Sequence, residues 1–443
     1  MNHLPDYTMQ RALSLDQNPP LALPMRYFLS APLFAALAAA LLLWQGDAAL
    51  ASRWTPATLA LTHLLTLGCL SMTMVGALLQ MLPVVAGIGL PHARPVAIVV
   101  HIALCAGTLL LASAFWLEAP FLFQLALAAL LTALCALLVA CTVGLWQQHS
   151  SGATATVAAI RLSLAALAIT IVLGGLLAGS LAWPELLVLP LPVLTDVHAM
   201  WGLFGWVGLL VVGVAFQVVP MFQVTEPYPA WLTRSFTTVL FLLLLVCSIG
   251  ATLQRPQDQW FHTAAEAAVV GGYGLFAAVT LALLARRKRP KADPTTLFWR
   301  TAMASLLAAL VLWLLPVATG DAAQPLALGA LFIAGFALTT INGMLYKIVP
   351  FLTWYHLQES IGRGAPNVNK IIPERRARQQ FALHLAALLL LLAACYLPQQ
   401  LARPAGAAMC ASCLMLWFNL LQAMRLYRRL QRQAQTGKQL APA

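Results

Sequence analysis

Charge is what this sequence has least of: Asp, Glu, Lys and Arg make up 9% of its 443 residues, against 61% hydrophobic. A soluble domain carries about a quarter charged residues, so a soluble fold is excluded. Acidic side chains are scarcer still, 13 against 25 basic ones. No phosphate-binding loop, nucleophile motif or zinc pattern occurs. The eight cysteines are scattered through apolar segments, which excludes a loop framework of disulfides. The stretch "MNHLPDYTMQRALSLDQNPPLALPMRYFL" is too polar and proline-rich for a cleavable leader, so the first apolar run reads as a span.

What is abundant is apolar runs of bilayer length, about 20 residues each. They fall near 28–45, 57–83, 95–116, 120–146, 157–182, 196–222, 232–253, 264–285, 298–317, 325–352, 379–397 and 405–424. The expectation is an all-α polytopic membrane protein. It has a single twelve-helix domain over 28–424, a cytoplasmic segment over 1–27 and a basic cytoplasmic tail over 425–443. With both termini in the cytoplasm, only Arg53, Arg255 and Arg403 fall outside and Lys347 falls within a span. The other 21 of 25 basic residues lie on or near the inner face. This satisfies the positive-inside rule. The net charge of +12 is therefore topogenic, pointing to the lipid bilayer and its anionic headgroups rather than to nucleic acid. A bacterial inner (cytoplasmic) membrane is the implied location.

Three segments share one pattern: "GCLSMTMVGALLQMLP" from Gly68, "GWVGLLVVGVAFQVVP" from Gly205 and "GFALTTINGMLYKIVP" from Gly335. Each reads Gly, seven residues, Gly, three residues, Gln or Lys, two residues, Pro. They lie in spans two, six and ten, which predicts three repeats of four helices over about 28–146, 157–285 and 298–424. Gly76, Gln80 and Pro83 share one helix face, as do Gly213, Gln217, Pro220 and Gly343, Lys347, Pro350. One reading is structural, a kink with a polar residue to satisfy the carbonyl that proline frees. The other is that three polar-faced helices line a common interior. Lys347 lies near the cytoplasmic end of span ten, where it can snorkel.

Histidine is the chemistry-bearing residue to sort by depth. His63, His198 and His262 occupy the outer half, while His101 and His384 lie toward the inner side. Imidazole is a common ligand of haem iron and copper, and equally a packing residue when hydrogen-bonded. Counted from the repeat glycine, His63 and His198 differ by two positions, about 200° on an ideal helix. They point different ways unless the helices are distorted. Cys410 and Cys413, with Met409, Met415 and Cys395, read as interface packing or as soft ligands for Cu(I).

The phrases "HLLTLGCLSMTMVGALLQMLPVV", "VHAMWGLFGWVGLLVVGVAFQVVPMF" and "GMLYKIVPFLTWYH" resemble subunit I of the haem-copper oxidase superfamily. The nearer likeness is to short bacterial proteins similar to cbb3-type oxidase subunit I, and a weaker one is to NnrS-type proteins of nitric oxide response. The resemblance implies that fold in three pseudo-threefold repeats. It places His63 on the span that supplies a low-spin haem ligand and His198 on the span that supplies a copper ligand. Span seven lacks the paired histidines of a copper site and span ten has no histidine, so a complete terminal oxidase is not expected. The expected function is binding of haem b or copper through His63 and His198, with His262 or Met200 as a further ligand. A five-coordinate haem open to a gas is the expected form, with respiratory or nitric oxide response proteins as partners. The alternative is a carrier or channel along spans two, six and ten. Whether the chain is an enzyme stays open.

Overall fold

The computed structural model describes residues 18–148, 153–253, 259–289, 291–316 and 322–439. The expected segment before residue 18 and Arg255 lie outside them. The described residues form helices and their connections, with no strand among them. Twelve helices are long and apolar enough to cross a membrane. They are α1 Ala22–Leu50, α2 Pro56–Ala86, α3 Ala93–Leu117, α4 Pro120–Gln147, α5 Thr154–Ala182 and α6 Leu191–Gln223. After these come α7 Ala230–Leu253, α8 Trp260–Ala285, α9 Pro294–Leu314, α10 Ala323–Ile361, α11 Glu374–Tyr396 and α12 Pro398–Gln435. In lipid only structures that close their own backbone hydrogen bonds are tolerated. Runs of Ala and Leu, good helix formers, close them locally.

Several starts are legible as caps. Proline occupies the first turn of α2, α4 and α9, where a missing N–H costs nothing. Thr55 and Asp293 each accept a hydrogen bond from the backbone N–H three residues on. Helix α12 does not stop where the apolar run ends but continues as one helix through Gln439. The basic segment "RLYRRLQRQAQ" contains neither proline nor glycine, so nothing breaks it.

Helices α2, α6 and α10 are the three most buried of the twelve. Each contains an eight-residue π-helical segment: Leu64–Ser71, Trp201–Gly208 and Leu331–Leu338. All three end five residues before the second glycine of the motif, so they share one register. Such wide turns are rare and concentrate at functional sites. The three segments meet at the centre, where Trp206 Nε1 donates to Ser71 Oγ at 3.0 Å. There too, Phe204 packs edge-on against Phe332, with centroids 4.8 Å apart.

The motif glycines face neighbouring helices. A Cβ on Gly68 or Gly76 would strike Phe34 or Phe28 of α1. One on Gly205 or Gly213 would strike Ala166 or Ala159 of α5, and one on Gly335 or Gly343 would strike Ser305 or Phe298 of α9. The pairs thus seat α2 on α1, α6 on α5 and α10 on α9. Close approach of backbones is the use of small residues between membrane helices.

The polar member of the motif is held differently in each copy. Gln80 Nε2 donates to Asn18 Oδ1, and Gln217 is half-buried. Lys347 Nζ donates at 2.6 Å to Oδ2 of Asp293, the residue that caps α9. Asp293 also accepts from the N–H and hydroxyl of Thr296 at 2.9 and 3.0 Å. Burial pushes this carboxyl up, but the hydrogen bond and charge of Lys347 and the two Thr296 donors outweigh it and hold it below its ordinary value of 3.8. A depressed folded-state carboxyl contributes stability that is complete above that ordinary value and is lost as pH falls through the lower folded one. Lys347→Met is therefore expected to destabilise the protein by about 1.5–3 kcal/mol and to move acid unfolding to higher pH. Thermal melts across pH 2–5 in detergent check both.

Candidate metal centre

The N-terminal halves of α2 and α6 border a cavity of about 830 Å³ whose wall is mostly apolar. Leucine, alanine and phenylalanine from most of the twelve helices line it. His63, His198 and His262 line it too, as do Met200, Cys247, Cys395 and Met409. The cavity is of the size that holds an organic cofactor rather than a bare ion.

His63 is the last α-helical residue before the first π segment. Its Nδ1 lies 2.8 Å from the carbonyl oxygen of Leu59, one turn back. His198 stands one turn before the second π segment, with Nδ1 3.2 Å from the carbonyl oxygen of Thr170 on α5. A carbonyl only accepts, so the proton of each ring sits on Nδ1 and the lone pair of each Nε2 is left unused. This is the tautomer a metal-ligating histidine needs, fixed by the partner of its other nitrogen.

The two rings lie 6.5 Å apart between centroids, with planes 18° from parallel. Two imidazoles on one metal, with metal–nitrogen bonds of about 2.0–2.1 Å, have centroids about 6 Å apart. The two-position offset in the sequence does not separate them. It measures rotation about each helix's own axis, whereas the rings approach from two helices set against different neighbours. His63 stacks on Phe115 of α3 at 5.2 Å. His198 lies over Gly174 of α5, where an added Cβ would stand 2.8 Å from its Cε1.

His262 borders the same cavity, with Nδ1 3.6 Å from Glu266 Oε1. Near the mouth, Arg53 pairs with Asp196 at 2.7 Å, both about half exposed. Among the described residues no three His, Cys, Asp or Glu side chains gather closely enough to hold an ion by themselves. Cys410 and Cys413 accordingly find no third such ligand. What borders the cavity is a pair of imidazoles, those of His63 and His198.

The repeat positions Gly76, Gln80, Pro83, Gly213, Gln217, Pro220, Gly343, Lys347 and Pro350 do not line this cavity. His101 is elsewhere, its Nε2 2.9 Å from Ser30 Oγ. Sequence reasoning missed Phe115, Gly174 and the Arg53–Asp196 pair. Only Asp196 had a signal, two residues before His198. Compared with known proteins, the chain matches no family model and no curated protein.

Proposed function

We propose that this is a haem-carrying electron-transfer protein of the bacterial inner membrane, with His63 and His198 as the two axial ligands of one b-type haem. The observation that carries this reading is the imidazole pair: protons on both Nδ1 atoms, both Nε2 atoms unused, and centroids 6.5 Å apart beside one cavity. A haem bound there supplies one-electron redox chemistry. The chain's part is to hold the iron by two nitrogens, fix both ring planes and exclude water with an apolar wall. A haem held by both imidazoles would keep no position for a gas, which favours electron transfer over gas binding or reduction. A role as a complete terminal oxidase is not proposed, since α10 carries no histidine in its apolar part.

The arrangement of the twelve helices as three fours, on the pattern of haem-copper oxidase subunit I, belongs to the same proposal. Its support is the motif in triplicate, the π segments at one register and the seating of each glycine pair. Cytoplasmic termini belong to the same reading, supported by the positive-inside rule applied to the basic loops. The carrier reading is favoured less, because Asp293 holds Lys347 and the motif residues do not border the cavity.

The test is the absorbance spectrum and metal content of protein purified from haem-replete cells. A Soret band with matching iron supports the reading. Copper without a Soret band would assign the histidine pair to copper, and protein with neither overturns it. A Gly174→Ala variant gives a finer check. The new methyl displaces the His198 ring, and changes in the support of a ligand typically cost 10–100-fold in metal affinity. Its expected result is reduced metal content in protein that elutes normally on gel filtration.

A further inference from the structure

The basic end of α12 continues the surface that the same helix turns toward lipid. Within the span the buried side chains Met409, Cys413, Leu416, Leu420 and Ala423 recur at intervals of three and four. They form one face, packed against α1 and α11. At about 100° per residue the opposite face carries Leu414, Phe418 and Leu421, and then Arg425, Arg428, Arg429 and Arg432. Leu414 and Phe418 are 44% and 45% exposed, and all four arginines are exposed. One stripe therefore runs from apolar to cationic along a single unbroken helix.

The stripe has the length and the chemistry of a phospholipid. From Leu414 to Met424 the helix rises about 15 Å, half of a hydrocarbon core about 30 Å thick. Arg425 to Arg429 occupy the next 7 Å or so, which is the depth of the headgroup layer. Arg425, Arg428 and Arg429 stand at i, i+3 and i+4, a spacing at which like charges on a helix repel. No acid relieves them. The ion pairs at this end of the bundle are Lys288–Glu226, Lys347–Asp293, His356–Glu359 and Arg378–Glu374, and none includes these three arginines. Charge that serves only to orient the chain has no need to share a face, yet Tyr427 and Leu430 keep to the buried side and are partly covered. A guanidinium binds phosphate oxygens in a two-pronged fork, so an anion at headgroup depth relieves the repulsion and fits the donors.

We propose that this stripe is a binding site for an anionic phospholipid, with its acyl chains on Leu414 and Phe418 and its phosphate held by Arg425, Arg428 and Arg429. Both halves of the ligand are needed. A zwitterionic lipid brings the chains without the net charge, and inorganic phosphate brings the charge without the chains. None of the five residues borders the large cavity, so the site is independent of what that cavity holds.

Full-length protein exchanged into a neutral detergent is titrated with phosphatidylglycerol, cardiolipin, phosphatidylcholine or inorganic phosphate, and the shift in melting temperature reads binding. The two anionic lipids are expected to raise it, and phosphatidylcholine and phosphate to leave it unchanged. Each basic residue at an anionic surface is worth about fivefold in affinity, or about 1 kcal/mol. The triple variant Arg425→Gln, Arg428→Gln, Arg429→Gln is therefore expected to bind phosphatidylglycerol about 100-fold more weakly. Lysine at the same three positions keeps the charge without the fork and should fall between the two. A second triple variant, Arg234→Gln, Arg286→Gln, Arg289→Gln, removes equal charge from other exposed positions at this end of the bundle and should bind as the wild type does. Undiminished binding in the first triple variant overturns the proposal, as does an equal loss in the second. Equal shifts with phosphatidylcholine, or with phosphate alone, also overturn it. Colourless, metal-free protein that gives the expected lipid shifts would remove the haem reading and leave this site standing.

Discussion

Replacing either His63 or His198 with alanine is expected to turn a haem spectrum indifferent to carbon monoxide into one that carbon monoxide shifts. If the proposed haem is held by both imidazoles, the reduced wild-type protein would have no vacancy for a gas. Removing one imidazole opens a position and leaves the iron on a single protein bond. Loss of a ligand should cost more than the 10–100-fold in affinity typical of lost ligand support, so each single variant should also retain less haem. The double variant should be colourless. His101→Ala and His384→Ala should leave the spectrum unchanged, since those rings bond Ser30 and Thr339 away from the pair. A wild-type spectrum that carbon monoxide already shifts would remove one histidine from the centre. It would restore the five-coordinate form, with His262 or Met200 no nearer to a ligand role.

Adding one methyl at Gly213 or Gly406 is expected to be the most damaging small change away from the cavity. A Cβ on Gly213 overlaps the Cβ of Ala159 on α5, an atom fixed by the backbone. On Gly406 it falls 2.6 Å from the amide nitrogen of Leu43 and 2.9 Å from the carbonyl oxygen of Ala39. No side chain can rotate away from either contact, so α6 must part from α5, or α12 from α1. Overpacking typically costs about 1–3 kcal/mol, occasionally more, and these sites belong at or above the upper end. Gly271→Ala and Gly329→Ala meet nothing within 4 Å and should be close to neutral. Thermal melting of the four variants in one detergent checks the ordering, and equal melting temperatures would show that the helix contacts yield.

The sequence by itself determined what depends on composition along the chain. Long uncharged runs can only be spans, because an unsatisfied backbone in lipid is too costly. The threefold motif was legible because each copy repeats the same spacing, and so was the depth of each histidine, which follows from its distance to the span ends. Tertiary structure decided what depends on how helices sit against one another. The partner of Lys347 is Asp293, 54 residues away and on a different helix end, and nothing in either local sequence announces the other. The π segments widen α2, α6 and α10 at one register, yet no residue type marks them apart from ordinary helix. His63 and His198 appeared to diverge because rotation was counted about single axes. Their rings come together because α3 supplies a stacking face and α5 a glycine, and contacts between helices are written in no single one of them.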